Sequence, residues 1–320
     1  MKIVFFGTPE YVLPILDSLH KTFKTRASNS PIVAVVTQKP KPSGRKQILE
    51  YSPVDSWAHK KSIPKYFDAI DVFRNKVSAE LGVVASYGAI IPKNVIDYFK
   101  YGIMNIHPSL LPKFRGASPV QATIVSGDKE TGVTIIKIDE KVDHGPIISQ
   151  FKEEVLPEDT TATLRKRLFE KSAEILTTLV PAFLSGKISP REQNHQEATI
   201  TSLLKKDHGF IPSRYLRLAF KEQSFKGTWK IPFIQDYSLQ PTTYNIYSFI
   251  RAMDPWPVAW TEIKIMVNGQ WLKKRLKIIK THLEELSINH QSLIIDIVQL
   301  EGKNPVSWEQ FKEAYPNASL

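Results

Sequence analysis

The chain has 320 residues, of which 42% are hydrophobic and 23% charged, and it contains no cysteine. That length exceeds what one compact domain usually needs, and missing cysteine excludes disulfides, thiolate nucleophiles and thiolate-ligated zinc while agreeing with a cytoplasmic protein. The formal net charge of +11 points to a polyanionic partner, nucleic acid first, although a lysine-rich solvated surface would carry the same charge. Residues 1–7 hold too short an apolar run for a secretion signal, and no stretch reaches the roughly 20 apolar residues of a membrane helix. No membrane attachment is expected.

Residues 2–7 read as a buried strand and 9–21 as the helix that follows, with proline in its first turn. Further strands are expected at 32–37, 81–87, 103–107, 133–139 and 147–151. Helical patterns at 54–61, 120–126 and 160–184 lie among them. This alternation predicts an α/β domain, Rossmann-like, with a mostly parallel sheet covered on both faces. Ligands of such sheets bind beyond the carboxyl ends of the strands, where the strand order reverses. A polar stretch at 185–197 marks a change of composition. The expected division is a domain over 1–190, a linker over 191–205 and a smaller β-rich domain over 206–320. The last is read as an OB-like barrel with a helical entry at 244–252 and strands at 262–267, 271–280 and 292–298. Asn268-Gly269 is a hairpin turn signal between the first two.

Between the second strand and the next helix lies Gln38-Lys39-Pro40-Lys41-Pro42-Ser43-Gly44-Arg45-Lys46. It has too much proline and charge to form an element and reads as a basic loop, either a solvated connection or a binding segment. No G-x-G-x-x-G follows the first strand, and neither G-x-x-x-x-G-K-[ST] nor H-E-x-x-H occurs. Dinucleotide enzymes, P-loop hydrolases and zinc proteases lose their support.

The informative segment runs from Asn105 to Pro119. Asn105 and His107 are two apart at the end of a strand, so they project to one face, and Pro108 stops the strand there. A carboxamide can donate hydrogen bonds to an oxyanion and an imidazole can exchange protons near neutral pH, a pair suited to acyl transfer. Asn-x-His by itself carries no weight. A carboxylate beside the imidazole would orient it and favour its charged form. Asp139 and Asp143 both qualify, and the residues alone do not choose between them.

The sequence resembles the methionyl-tRNA formyltransferase family of formyltetrahydrofolate-dependent enzymes along nearly its whole length. The likeness rests on Ile3-Val4-Phe5-Phe6-Gly7-Thr8-Pro9-Glu10, on Ala85-Ser86-Tyr87-Gly88-Ala89-Ile90-Ile91-Pro92, and on Asn105-x-His107 with Ser109-Leu110-Leu111-Pro112 and Arg115-Gly116-Ala117. Gly132-Val133-Thr134 and Asp143-x-Gly145 continue it. Those motifs indicate the chemistry; the acceptor is indicated by Ile250-Arg251-Ala252-Met253-Asp254-Pro255-Trp256-Pro257 and by Gly302-Lys303-Asn304-Pro305. The resemblance implies 10-formyltetrahydrofolate as co-substrate and initiator methionyl-tRNA as acceptor, in translation initiation, without a metal and with the chain a monomer. It implies Asn105, His107 and Asp143 as catalytic residues. The folate would be held by Ser86, Tyr87, Gly88, Ile90, Ile91, Ser109, Leu110, Leu111, Pro112 and Asp139. The tRNA would meet Lys39, Lys41, Arg45, Lys46, Lys205, Lys206, Lys273, Lys274 and Arg275. Rival readings are a formyltransferase for a small amine, such as an amino sugar, and a catalytically silent RNA-binding protein. His144 stands after the aspartate where the family often has a small hydroxyl residue. Residues 220–243 form a stretch longer than in compact members, with no role assigned.

Overall fold

The structure, a computed structural model, describes residues 1–25, 30–43, 47–220, 227–287 and 290–319. Arg45, Lys46 and part of the 220–243 stretch lie outside the described residues. The chain divides into two compact units, one of Met1–Gly116, Glu130–Glu154 and Arg165–Thr199, the other of Ala117–Lys129, Val155–Leu164 and Ile200–Leu320. Two stretches that precede residue 165 therefore group with the second unit.

The first unit is built on a seven-stranded sheet. Its strands are β1 (Ile3–Gly7), β2 (Ile32–Val36), β3 (Lys65–Tyr66), β4 (Leu81–Ala85), β5 (Ile103–His107), β6 (Glu130–Lys137) and β7 (Ile147–Glu154), in the spatial order β7-β6-β5-β4-β1-β2-β3. The pairs β1–β2, β2–β3, β1–β4 and β4–β5 are parallel, whereas β5–β6 and β6–β7 are antiparallel. Every residue of β1 and β4 is buried, which is why their sequences are apolar runs and not alternations. The core beside them gathers Val4, Phe6, Val36, Val84 and Tyr87, with Phe6 and Tyr87 meeting edge to face at 5.8 Å. The order reverses between β1 and β4, so a crevice opens past Gly7 and Ala85.

Helix α1 (Leu13–Thr22) takes proline in its first turn and buries Ile15, Leu16, Leu19 and His20. Helix α2 (Pro53–Lys60) is capped by Ser52, whose hydroxyl accepts from the Asp55 amide at 2.9 Å. The long helix α3 (Thr161–Leu184) follows β7. The sequence places the fourth strand's end at residue 87, but β4 stops at Ala85 because Ser86 turns to φ 49°. A β ladder does not survive a left-handed residue.

In the second unit β8 (Ala259–Val267), β9 (Gln270–Ser287), β10 (His290–Leu300) and β11 (Val306–Ser307) form one antiparallel sheet in chain order. The Asn268-Gly269 signal is realised as a two-residue turn with both residues at positive φ, 50° and 80°. Helices α4 (Ser213–Phe220) and α5 (Thr243–Ala252) pack on this sheet, and α5 also packs on the short helix Pro119–Val125. Single bridges from Phe210 and Ser319 flank β8. Among the described residues no ladder joins β8 to β11, so an antiparallel sheet is what is seen of the expected barrel. No described helix is long and apolar enough to cross a membrane.

Candidate active site

The site is assembled where β5 ends. Asn105 and His107 project from the last turns of that strand, and the Ser109-Leu110-Leu111-Pro112 turn carries the chain away. Thr134 on β6 pins this turn: its hydroxyl donates to the Ser109 carbonyl (2.6 Å) and accepts from the Leu111 amide (2.9 Å). Gln150 on β7 adds Nε2 bonds to the Leu111 carbonyl (3.0 Å) and to the Thr134 hydroxyl (2.8 Å). Close approach of these strands requires Gly132, where a Cβ would sit 1.9 Å from the Phe151 carbonyl oxygen.

His107 is only 4% exposed. Its Nε2 donates to the Phe114 carbonyl (2.9 Å), while its Nδ1 lies 3.4 Å from Asp143 Oδ2. Asp143, 8% exposed, accepts from Asn105 Nδ2 at Oδ1 (2.9 Å) and from the Gly116 amide at Oδ2 (2.7 Å). One carboxylate thus ties together the amide, the imidazole and the backbone of the short strand Arg115–Gly116. Of the two aspartates the sequence left open, Asp143 faces His107. Asp139 turns to His144, whose Nδ1 lies 2.6 Å from its Oδ2.

Asp143 holds φ 49°, a left-handed conformation that aspartate tolerates better than most side chains. The turn is closed two residues later by Gly145, whose Cβ, if present, would lie 1.9 Å from the Lys137 carbonyl oxygen. Gln193 donates from Nε2 to the carbonyls of Asp143 (2.9 Å) and Gly145 (2.7 Å). Arg115 donates in turn to Gln193 Oε1 from Nε (3.2 Å) and Nη2 (2.7 Å), and from Nη2 to His195 Nδ1 (2.8 Å). The His195 ring stacks on His144 at 3.9 Å and 7°. Sequence reasoning missed Gln193 and His195, which it assigned to a linker, and gave Arg115 no role. No periodicity or spacing marks them; only the folded chain brings them to the aspartate.

The residues singled out for folate are placed unevenly. Gly88 and Ile90 are open to solvent, Ile90 to 83%, and Ser86 and Leu110 are half-buried. Tyr87 and Ile91 turn into the sheet core, Leu111 packs with Ile136 and Ile147, and Ser109 is buried with its hydroxyl donating to the Lys113 carbonyl (2.6 Å). Pro112 is half-buried at the end of the turn. Tyr87 still contributes its backbone, since Thr8 Oγ1 donates to its carbonyl at 3.1 Å.

The basic residues fall into several groups. Lys39 is exposed after β2, and exposed Lys41 begins a short strand, Lys41–Ser43, that pairs antiparallel with Ile48–Glu50, so the stretch read as too rich in proline and charge for any element does carry one; Lys205 and Lys206 are exposed in the second unit. On β8 and β9, Glu262 pairs across the ladder with Arg275, and Lys264 with Lys273. The guanidinium of Arg275 lies 3.9 Å from the Trp260 ring centre, and Lys273 forms an ion pair with Glu262 at 2.6 Å. Strand alternation puts Lys264, Lys273 and Arg275 on one face, whereas Lys274 shares the other face with buried Ile263, Leu276 and Ile278. No group of three or more metal-ligating side chains occurs among the described residues.

Residues 1–180 match the family described as formyl transferase, and residues 238–292 match the formyl transferase C-terminal domain. By that match over residues 1–180 the chain is a formyl transferase. The methionyl-tRNA formyltransferase of Buchnera aphidicola subsp. Schizaphis graminum is 31% identical, over 97% of this chain and 94% of that protein. That of Fusobacterium nucleatum subsp. nucleatum is 31% identical, over 96% of this chain and 87% of its own length. The chain belongs to the methionyl-tRNA formyltransferase family. Its fold is shared with the methionyl-tRNA formyltransferase of Clostridium thermocellum (TM-score 0.53, 19% identity, 94% of this chain and 98% of that one). It is shared too with an N-formyltransferase of Helicobacter canadensis solved with folinic acid and dTDP-3-aminofucose (TM-score 0.63, 18% identity, 96% and 98%).

Proposed function

We propose that this protein transfers the formyl group of 10-formyltetrahydrofolate to the α-amino group of methionine esterified to initiator tRNA. The observation that carries the chemistry is the Asp143 carboxylate, which receives Asn105 and the Gly116 amide and faces His107 at the end of β5. The acceptor rests on family membership and on the basic balance of the chain. In functional terms the division is residues 1–190 for formyl transfer and 206–320 for tRNA, with 191–205 connecting them and also bringing Gln193 and His195 to the Asp143 turn. The enzyme acts as a monomer in the cytoplasm.

Formyl-folate supplies the formyl group and departs as tetrahydrofolate. An exposed Ile90, a half-buried Leu110 and the open backbone at Gly88 offer an apolar and hydrogen-bonding surface for a flat heterocycle, which supports a pterin site there. Ser86, Ile91, Leu111, Pro112 and Ser109 shape that surface from beneath, and Asp139 borders it. The attacking amine must be neutral; a free α-amine titrates near 7.7–8 and an aminoacyl ester lowers this. As the amine adds to the formyl carbon, negative charge gathers on oxygen. Asn105 keeps one Nδ2 hydrogen on Asp143 and offers the other to that oxygen. His107 works through its charge, because both its ring nitrogens face acceptors and the doubly protonated ring satisfies both. Asp143 holds the imidazole in that orientation. A water carries the proton from the amine to N10 of the leaving folate. One such oxyanion donor is worth about 2.7–4 kcal/mol. None of these steps calls on a metal.

On the tRNA side, Lys39, Lys41, Arg45 and Lys46 reach towards the acceptor end. Lys205, Lys206, Lys273, Lys274 and Arg275 follow the phosphate backbone. The deciding experiment supplies 10-formyltetrahydrofolate with charged initiator tRNA, with free methionine and with amino sugar nucleotides. Formyl on methionyl-tRNA alone supports the proposal. Formyl on an amino sugar instead would replace the acceptor and leave the chemistry, and no transfer at all would leave a silent RNA-binding protein.

A further inference from the structure

Within the formyl-transfer reading, the unexplained feature is the second ring of side chains around Asp143. The aspartate sits at positive φ in a turn whose own sequence supplies little to hold it. The chain beyond α3 returns beside β7, where Arg191 and Ile147 exchange both backbone bonds, at 2.7 and 2.9 Å. That pair fixes the backbone two residues before Gln193. The Gln193 side chain, 5% exposed, then enters beneath the aspartate turn and spends both Nε2 hydrogens on the carbonyls of Asp143 and Gly145. Its Oε1 accepts twice from Arg115. The amide has only one workable orientation. Flipped, it would set oxygen against two carbonyl oxygens and NH2 against a guanidinium, which has no acceptor.

Arg115 has a further partner as well. Its Nη2 donates to His195 Nδ1, so that nitrogen must carry no proton. His195 lies flat on His144, and His144 is turned to Asp139. The groups facing His195 are Arg115, His144, Glu192 and Lys141. Loss of solvation, then His144 and Arg115, lower its proton affinity, and Glu192 works against them. The neutral ring that Arg115 needs is therefore the form the fold favours.

We infer that Gln193 is a positioning residue for formyl transfer, setting the backbone of the Asp143 turn so that the carboxylate meets His107, with Arg115 and His195 holding Gln193 in the required orientation. Gln193 touches no reacting atom. It acts through Asp143, whose displacement by a fraction of an ångström would weaken the His107 partner and leave the apolar surface for folate unchanged.

Gln193→Glu separates this role from packing. The shape is kept and the pairing with Arg115 strengthened, but a carboxylate cannot donate to the two carbonyls. Two readouts in the full-length protein decide it. The first is turnover with 10-formyltetrahydrofolate and methionyl initiator tRNA. The second is the proton NMR titration of the His107 ring, assigned by comparison with His107→Gln. Turnover should fall about tenfold or more, with half-saturating concentrations of both substrates within about twofold of the parent. The His107 titration should move to lower pH, against the upward shift that the added carboxylate alone would cause. Parental turnover in Gln193→Glu, or a titration that stays or rises, overturns the inference. A parent that does not formylate the tRNA refutes the proposed function, while the titration still judges Gln193. Should Gln193→Glu fail to melt cooperatively, the exposed His195→Ala takes its place. It removes one acceptor of Arg115 and should shift the His107 titration in the same direction, by less; no shift overturns the inference.

Discussion

The aspartate turn of the first unit and the β8–β9 hairpin of the second show two ways of using polar residues. Around Asp143 most polar groups are tied to a named partner: Asn105, Gly116, Gln193 and Arg115 leave the turn little freedom. On the hairpin the cations stand on an open face, where Lys273 pairs with exposed Glu262 and Arg275 rests on Trp260. A buried donor left without its partner costs about 1–3 kcal/mol, whereas an exposed ion pair is worth about 0–1 kcal/mol. Chemistry that depends on geometry belongs to the first kind of region. Recognition of a polyanion, which sums many weak terms, belongs to the second.

Substitution can break that contrast, and the largest effect is expected at its centre. Asp143→Asn should lower turnover about a thousandfold, because an amide would set N–H against the Asn105 or Gly116 donors. Asp139→Asn, which loses only its charge towards His144, should stay within about threefold of the parent. Steady-state assays of both variants check the ranking, and its reversal would show that Asp139 is the working carboxylate. Next come Asn105→Ala and His107→Ala, each expected to cost about a hundredfold in turnover while formyl-folate binding, followed by calorimetry, persists. Turnover within threefold would remove the residue from the mechanism.

The hairpin should respond more softly. Lys273→Ala with Arg275→Ala should raise the half-saturating tRNA concentration about tenfold and flatten the logarithmic salt dependence by up to about 2, at unchanged saturated turnover. Lys274→Ala, on the core face, should shift the salt slope less and the melting temperature more. Equal salt effects of the three would mean that the two faces do not divide the work. The smallest effect concerns protons. The fold lowers the proton affinity of His195, so the stabilisation from its neutral ring is complete above about pH 6.5 and is lost as pH falls through the lowered value. The melting temperature of the parent should decline between pH 7 and pH 5 more steeply than that of His195→Ala, as scanning calorimetry at matched ionic strength would show.

Much of the frame was legible beforehand. The apolar runs of β1, β2, β4 and β5 announced buried parallel strands, and Asn268-Gly269 announced its turn, since both signals are local. Asn105 and His107 were legible because a strand ends at Pro108. The residues alone leave the choice between Asp139 and Asp143 to the resemblance, because both lie in one polar loop and the positive φ of Asp143 and the fit of Gly145 under Lys137 appear only in the folded chain. Gln193 and His195 were illegible for a related reason. Their partners are about 50 to 80 positions away, and a polar stretch without periodicity looks the same whether solvated or locked. The motif that resembles the family's pocket contains Tyr87 and Ile91, whose side chains pack into the core.

The second unit draws on stretches lying on both sides of β6 and β7, and this bears on how the chain is made. The helix Pro119–Val125, almost wholly buried in the finished fold, packs against α5. Thr161 donates to the Ala252 carbonyl at 2.7 Å, and Arg251 donates to the Asp159 carbonyl at 2.5 Å. The partners of Thr161 and Asp159 are thus translated about ninety codons after them, and α5 more than a hundred codons after the helix it covers. At about 5–20 residues per second, an apolar helix waits seconds on the ribosome before its covering arrives. Until then the nascent chain presents a patch that chaperones and proteases can find. A gene cut near codon 190 would make that exposure permanent, so solubility would fail in such a fragment before any question of catalysis arose.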